Sequence, residues 1–220
     1  FKSIFERQLE GLTPDEEEIY KLKTGIFDGN EKTISGLYFN ADQEYVGLFG
    51  ETESNAEIKN VSVVNSYFKG TNYVGGVVGY NMAGYVINCT NGSENKDPTE
   101  INQGNLNAYY TGGIVGKNSG TTIQVPNTDT STEEIFIEMT YYSYVSGCKN
   151  FAEISSCIIS DTGAYSGSGG IVGDLSYGYV TYCINYGYIT TSSSGDMAAF
   201  LGGIVASQTA TVIPLRVEYL

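Results

Sequence analysis

Apolar positions in this chain come in short bursts rather than long periodic runs, and one burst returns five times. It is YVGLFG at Tyr45–Gly50, YVGGVVG at Tyr73–Gly79, YTGGIVG at Tyr110–Gly116, GSGGIVG at Gly167–Gly173 and FLGGIVA at Phe200–Ala206. Val74, Val77 and Val78, or Ile114 and Val115, favour extended backbone, while the flanking glycines permit tight bends and close approach. A second burst lies downstream: Tyr85–Gly92, Val145–Ile154 and Tyr179–Ile189 align on Cys89, Cys148 and Cys183, with Asn91, Asn150 and Asn185 two positions later. The cysteines suit small buried positions, and the asparagines suit a ladder of turns. Ile58–Phe68 reads as the same strand region without its cysteine. Period-two alternation is local, at Val61 and Val63 and at Tyr179, Thr181 and Cys183, as expected where strands bend and change phase.

The phrases end at positions 50, 79, 116, 173 and 206, so the intervals are 29, 37, 57 and 33 residues. Unequal intervals around a constant phrase predict stacked strands with inserts between them. The expected fold is all-β: a predominantly parallel right-handed β-solenoid over residues 27–208, with a short N-terminal helical cap at 1–26 and a terminal strand or interdomain joint at 209–220. An irregular antiparallel sandwich is the alternative. Thr13, Pro14 and the acidic run Asp15–Glu18 form a helix start, and Phe1, Ile4, Phe5 and Leu9 fall at helical spacing.

Charge narrows the partners. Eleven basic against 25 acidic residues leave a net charge of −14, which opposes nucleic-acid backbones and anionic lipid. No run of 18 apolar residues offers a transmembrane helix, so no membrane insertion is expected. The chain opens on Phe1, which reads as a processed chain, an expressed segment or an incompletely recorded protein, so missing targeting signals exclude little. The four cysteines lack zinc-site spacing. Mostly buried free thiols are expected, with Cys148–Cys157 as the most plausible local bridge.

Five glycine-apolar phrases in register with asparagine-bearing strands make residues 27–208 resemble the bacterial GLUG-motif repeats. The carrying motifs are Gly47–Gly50, Gly76–Gly79, Gly113–Gly116 and Gly170–Gly173, with Gly203–Ala206 departing at its last position. The resemblance implies a bacterial exported or cell-surface protein of adhesin-like kind. It transfers no catalytic set and names no receptor.

Without histidine the chain has no histidine triad and no histidine metal cluster. Asp161, Asp174 and Asp196 are the candidate carboxylates for glycoside chemistry, but each sits among Gly, Ser or Thr and reads as a solvated loop acid. Neither Asp15–Glu18 nor the turn with Asp28, Asn30 and Glu31 completes a calcium loop, so no metal or cofactor is assigned. Tyrosine carries the binding reading. Nineteen are present, many between Tyr109 and Tyr188, and their rings suit sugars or protein interfaces. Tyr141, Tyr142 and Tyr144 are the preferred ligand contacts.

The expected function is therefore a non-enzymatic bacterial surface scaffold or adhesin-like recognition domain. It would present an extended acidic, tyrosine-bearing face to an extracellular protein or glycan, with homotypic assembly as a further possibility. The alternatives are an extracellular polysaccharide-binding module or glycoside-active enzyme, and a structural subunit that stacks through its strand edges.

Overall fold

The computed structural model describes residues 25–95, 100–103, 110–126, 136–158, 166–193 and 199–209. The expected helical cap up to residue 24, the Asp15–Glu18 run and nearly all of the terminal segment lie outside these residues, and Ile26, expected in the cap, opens the strand Ile26–Ser35. Every regular element among them is a β-strand, and all but two strands pair in parallel.

Like phrases lie beside like. Phe49 pairs with Val78, Val78 with Val115, Val115 with Val172 and Val172 with Val205. Within each phrase the chain bends between two sheets, as between Tyr110–Gly112 and Val115–Ser119. Glycine is required at this bend. A methyl on Gly112 would overlap the carbonyl oxygen of Val115, and one on Gly169 the carbonyl oxygen of Val172. The next glycine explains why the two bursts travel together: methyls on Gly76, Gly113 and Gly170 would run into the amides of Asn91, Asn150 and Asn185.

Inside, Val77, Val78, Ile114, Val115, Ile171 and Val172 are fully buried, as are Val86, Val145, Cys89 and Cys148. Each such aliphatic side chain contributes about 1.5–3 kcal/mol of burial. Beside this apolar core runs a polar one. Asn91 Nδ2 donates to Asn150 Oδ1 at 3.1 Å, and Asn150 Nδ2 to Asn185 Oδ1 at 2.8 Å. A second file links Thr52, Asn81 and Asn118 through bonds of 2.7 Å each. A third joins Thr111, Ser168 and Ser156.

The all-β class agrees with expectation, but the predominantly parallel right-handed β-solenoid does not. The strands form a half-barrel and several separate sheets, of eight, five, four, five and two strands, rather than a regularly repeating coil. The reason is the inequality of strands and connections. Glu57–Val64 is long enough to carry Tyr85–Ile87 on its first half and Thr90–Asn91 on its second. The largest sheet therefore curls about that strand. Part of the longest interval is taken up by an antiparallel hairpin, Thr121–Pro126 with Phe136–Tyr141, which belongs to none of the parallel sheets.

The cysteines also depart from expectation. Cys89, Cys148 and Cys183 are free thiols, which removes the Cys148–Cys157 bridge. They occupy neighbouring positions, with the Cys89 N–H donating to Cys148 Sγ and the Cys148 N–H to Cys183 Sγ, each at 3.4 Å. Burial pushes the Cys148 thiol well up, so it stays protonated and inert.

Candidate functional site

The residue that follows each glycine-apolar phrase falls in one row across a sheet. Glu51 pairs with Tyr80, Tyr80 with Lys117, Lys117 with Asp174 and Asp174 with Ser207. Ring contacts flank this row. Tyr45 stacks on Tyr73 and Tyr73 on Tyr110, each at 5.9 Å between centroids. Tyr80 leans against Tyr45 at 5.3 Å. The Lys117 ammonium sits 4.8 Å from the Tyr73 ring centre and 5.1 Å from that of Tyr80, within cation–π range of both.

Asp174 is the unusual member. It lies in the strand Val172–Ser176 with only 8% of its surface exposed, not in a solvated loop as its Gly-Asp context suggests. Burial raises its pKa above the ordinary 3.8, while the Lys117 charge and a hydrogen bond with Ser207 pull the other way. The Ser207 hydroxyl is shared with Tyr110, whose own pKa burial raises. Burial, then the charge of Asp174, pushes the Tyr73 hydroxyl far above its usual range. These phenols therefore act as neutral donors. The cluster holds a carboxyl of raised pKa, one ammonium and several phenolic hydroxyls in fixed relation.

A raised native pKa means that the folded state holds its proton more tightly than the unfolded chain. The stability Asp174 contributes is full below pH 3.8 and is lost as pH rises through the native value. We expect Asp174→Asn to melt higher than the wild type near neutrality, with the gap closing toward pH 4. Thermal melts across pH 3.5–7 check this, and a constant gap would contradict the assignment.

Tyr141, Tyr142 and Tyr144 are placed differently from one another. Tyr141 closes the antiparallel hairpin opposite Thr121. Tyr144 is half-buried between Tyr85 and Tyr179, at 5.1 and 5.0 Å, so both its faces carry rings and only its edge meets solvent. Tyr142 meets Tyr179 edge-on at 5.5 Å. Asp161 and Asp196 lie outside the described residues. Asp28 organises its turn: its carboxylate accepts from the Asn30 N–H at 2.9 Å and from Asn60 Nδ2 at 3.0 Å, and its pKa falls accordingly. Among the described residues no group of three or more Cys, Asp or Glu side chains is arranged to hold a metal ion. Among them, too, no helix is long and apolar enough to cross a membrane.

The expectation of a non-enzymatic scaffold is corrected here. A buried network of hydrogen-bonded Asn, Ser and Thr side chains on a curled parallel sheet is more consistent with an active-site core than with a passive scaffold. Such a network fixes neighbouring groups in one geometry, which is what preorganised chemistry needs. Sequence reasoning missed Lys117, Tyr80 and Ser207, although each directly follows a phrase that had been recognised. Protein-family models, curated proteins and solved structures give no match to this chain.

Proposed function

We propose that the protein is an extracellular, glycoside-active polysaccharide-handling domain with its site at Asp174, Lys117, Tyr73, Tyr80, Tyr110 and Ser207. One observation carries this reading: a nearly buried carboxyl with a raised pKa, bonded to Ser207 and set beside neutral phenols and an ammonium. An acid of that kind is suited to protonate a glycosidic oxygen. Ser207, only half-buried, connects it to the surface. Tyrosine rings and hydroxyls suit the faces and edges of sugars, and the partly buried Tyr141, Tyr142 and Tyr144 belong to the same proposal. The extracellular placement rests on the GLUG resemblance.

The row itself does not supply a second carboxylate at the usual separation. Glu51 stands three strand spacings from Asp174, roughly 14 Å, beyond the span of paired glycosidase acids. The proposal therefore assigns Asp174 the acid role and assigns no base. The test is release of reducing ends from a panel of neutral and acidic polysaccharides. We expect release from at least one, reduced about 100-fold or more by Asp174→Asn. Absence of release across the panel, or full activity in that variant, would overturn the reading.

A further inference from the structure

Left-handed backbone recurs along two rows of residues that follow paired strand positions. In one, Asn88, Gly147 and Tyr182 follow the paired residues Ile87, Ser146 and Thr181, with φ of 52°, 66° and 54°. In the other, Ala83 and Tyr177 follow Met82 and Ser176, which both pair with Ser119, and have φ of 51° and 49°; Gly120, between them, is not left-handed. Asparagine and glycine tolerate this conformation, whereas a bulky tyrosine is a steric outlier there. Both rows nonetheless end in tyrosine at the last strand, and both rings are exposed, Tyr177 by 41% and Tyr182 by 63%. Strain kept at exposed aromatic side chains points to use.

Two more tyrosines join them. Tyr186 is 59% and Tyr188 83% exposed. Tyr186 lies face to face on Phe151, with centroids 4.8 Å apart and planes 11° apart. No other ring stacks on it among the described residues. Its backbone is pinned, since the Tyr186 N–H donates to the Asn150 carbonyl at 2.7 Å. The Asn185 amide closes the turn by bonding both the N–H and the carbonyl of Gly187 at 3.1 Å. The Ile154 N–H holds the Tyr188 carbonyl at 2.8 Å. The backbone carrying these rings is therefore ordered before any ligand arrives, which lowers the entropy cost of binding.

We propose that Tyr177, Tyr182, Tyr186 and Tyr188 form a second binding platform, separate from the Asp174 row, that takes a neutral polysaccharide. The proposal rests on the reading of the protein as polysaccharide-handling. Charge selects the ligand. From Leu175 to Gly195 the chain has no charged residue, although the protein as a whole carries −14. An anionic polymer is repelled by the whole, and the exposed charges on the strands beside this segment, Lys149 and Glu153, are of opposite sign and give a charged peptide no net attraction. A second copy of the chain brings the same negative charge. Apart from that Lys149 and Glu153 pair, the segment offers ring faces, phenolic hydroxyls and amides, the chemistry that meets an uncharged sugar.

The test is native electrophoresis through gels containing hydroxyethyl cellulose, galactomannan or glucomannan, with polygalacturonate as the anionic control. We expect at least one neutral polymer to retard the protein and polygalacturonate not to. Tyr186→Ala/Tyr188→Ala and, separately, Tyr182→Asn should each weaken retardation about tenfold or more. Tyr182→Asn guards against misfolding, because asparagine suits the left-handed backbone and should leave the melting temperature unchanged or higher. Unchanged retardation in both tyrosine variants, or no retardation by any neutral polymer, would overturn the platform. So would sedimentation showing a dimer that the same substitutions abolish. If Asp174→Asn abolishes glycan cleavage while the tyrosine variants bind as before, the catalytic reading survives and the platform falls; the converse result separates them the other way.

Discussion

Replacing Asn150 with alanine is expected to remove about 3–5 kcal/mol of stability. This side chain makes four bonds. Its oxygen accepts from Asn91 Nδ2 at 3.1 Å and from the Ala152 N–H at 3.2 Å; its amide donates to the Ala152 carbonyl at 3.0 Å and to Asn185 Oδ1 at 2.8 Å. Asn91 and Ala152 are buried, so the groups left behind have no route to water. Each then costs the full price of an unmade bond rather than the small net worth of a made one. Asn185→Ala serves as the control. Asn185 is the last of the file and only partly buried, so water replaces much of what it loses and the cost should be about half. Urea denaturation of both variants measures the difference. Equal, small losses would mean that the file is solvated and contributes little.

Gly113→Ala is expected to abolish soluble folded protein. The new methyl would overlap the Gly170 carbonyl oxygen and the Asn150 amide together. One obstacle is backbone held in a ladder, and the other is the centre of the asparagine file. Neither yields without opening the adjoining strands, and overpacking of this severity exceeds the usual 1–3 kcal/mol range of core insertions. Gly203→Ala makes the matched comparison. Gly203 stands at the equivalent place in the last phrase, where an added methyl meets nothing within 4 Å. That variant should fall within about 0.5 kcal/mol of the wild type. Comparable expression and melting of the two variants would refute the interlock between phrase and asparagine.

That interlock explains what could be read in advance. Gly76, Gly113 and Gly170 match Asn91, Asn150 and Asn185 because each pair is in steric contact, so the spacing of one burst constrains the other. Chemistry of this kind leaves a mark in the sequence, and the side-by-side pairing of the phrases and the burial of Cys89 and Cys148, though not the full burial of Cys183, followed from it. The division into separate sheets did not follow. It depends on how far Glu57–Val64 extends past its partners, which a local phrase does not record. Asp174 was misplaced for a related reason. Gly-Asp favours turns in isolation, yet Asp174 sits in the ladder between Lys117 and Ser207, and tertiary register overrides the local preference. The exposed tyrosines were visible as a cluster, but only backbone angles set Tyr177 and Tyr182 apart from the rest.

The hairpin Thr121–Pro126 with Phe136–Tyr141 has a consequence for how the protein accepts new sequence. The chain leaves at Gly120, whose N–H is held by Ser176, and returns at Ser143, whose N–H is held by Tyr177. Departure and return are thus anchored on two consecutive residues, and what lies between is a side branch. Lengthening such a branch adds only a logarithmic closure entropy, about 0.6 kcal/mol per doubling. The molecule therefore carries a natural grafting port, where a foreign loop or reporter can be spliced in while the flanking ladder keeps its register.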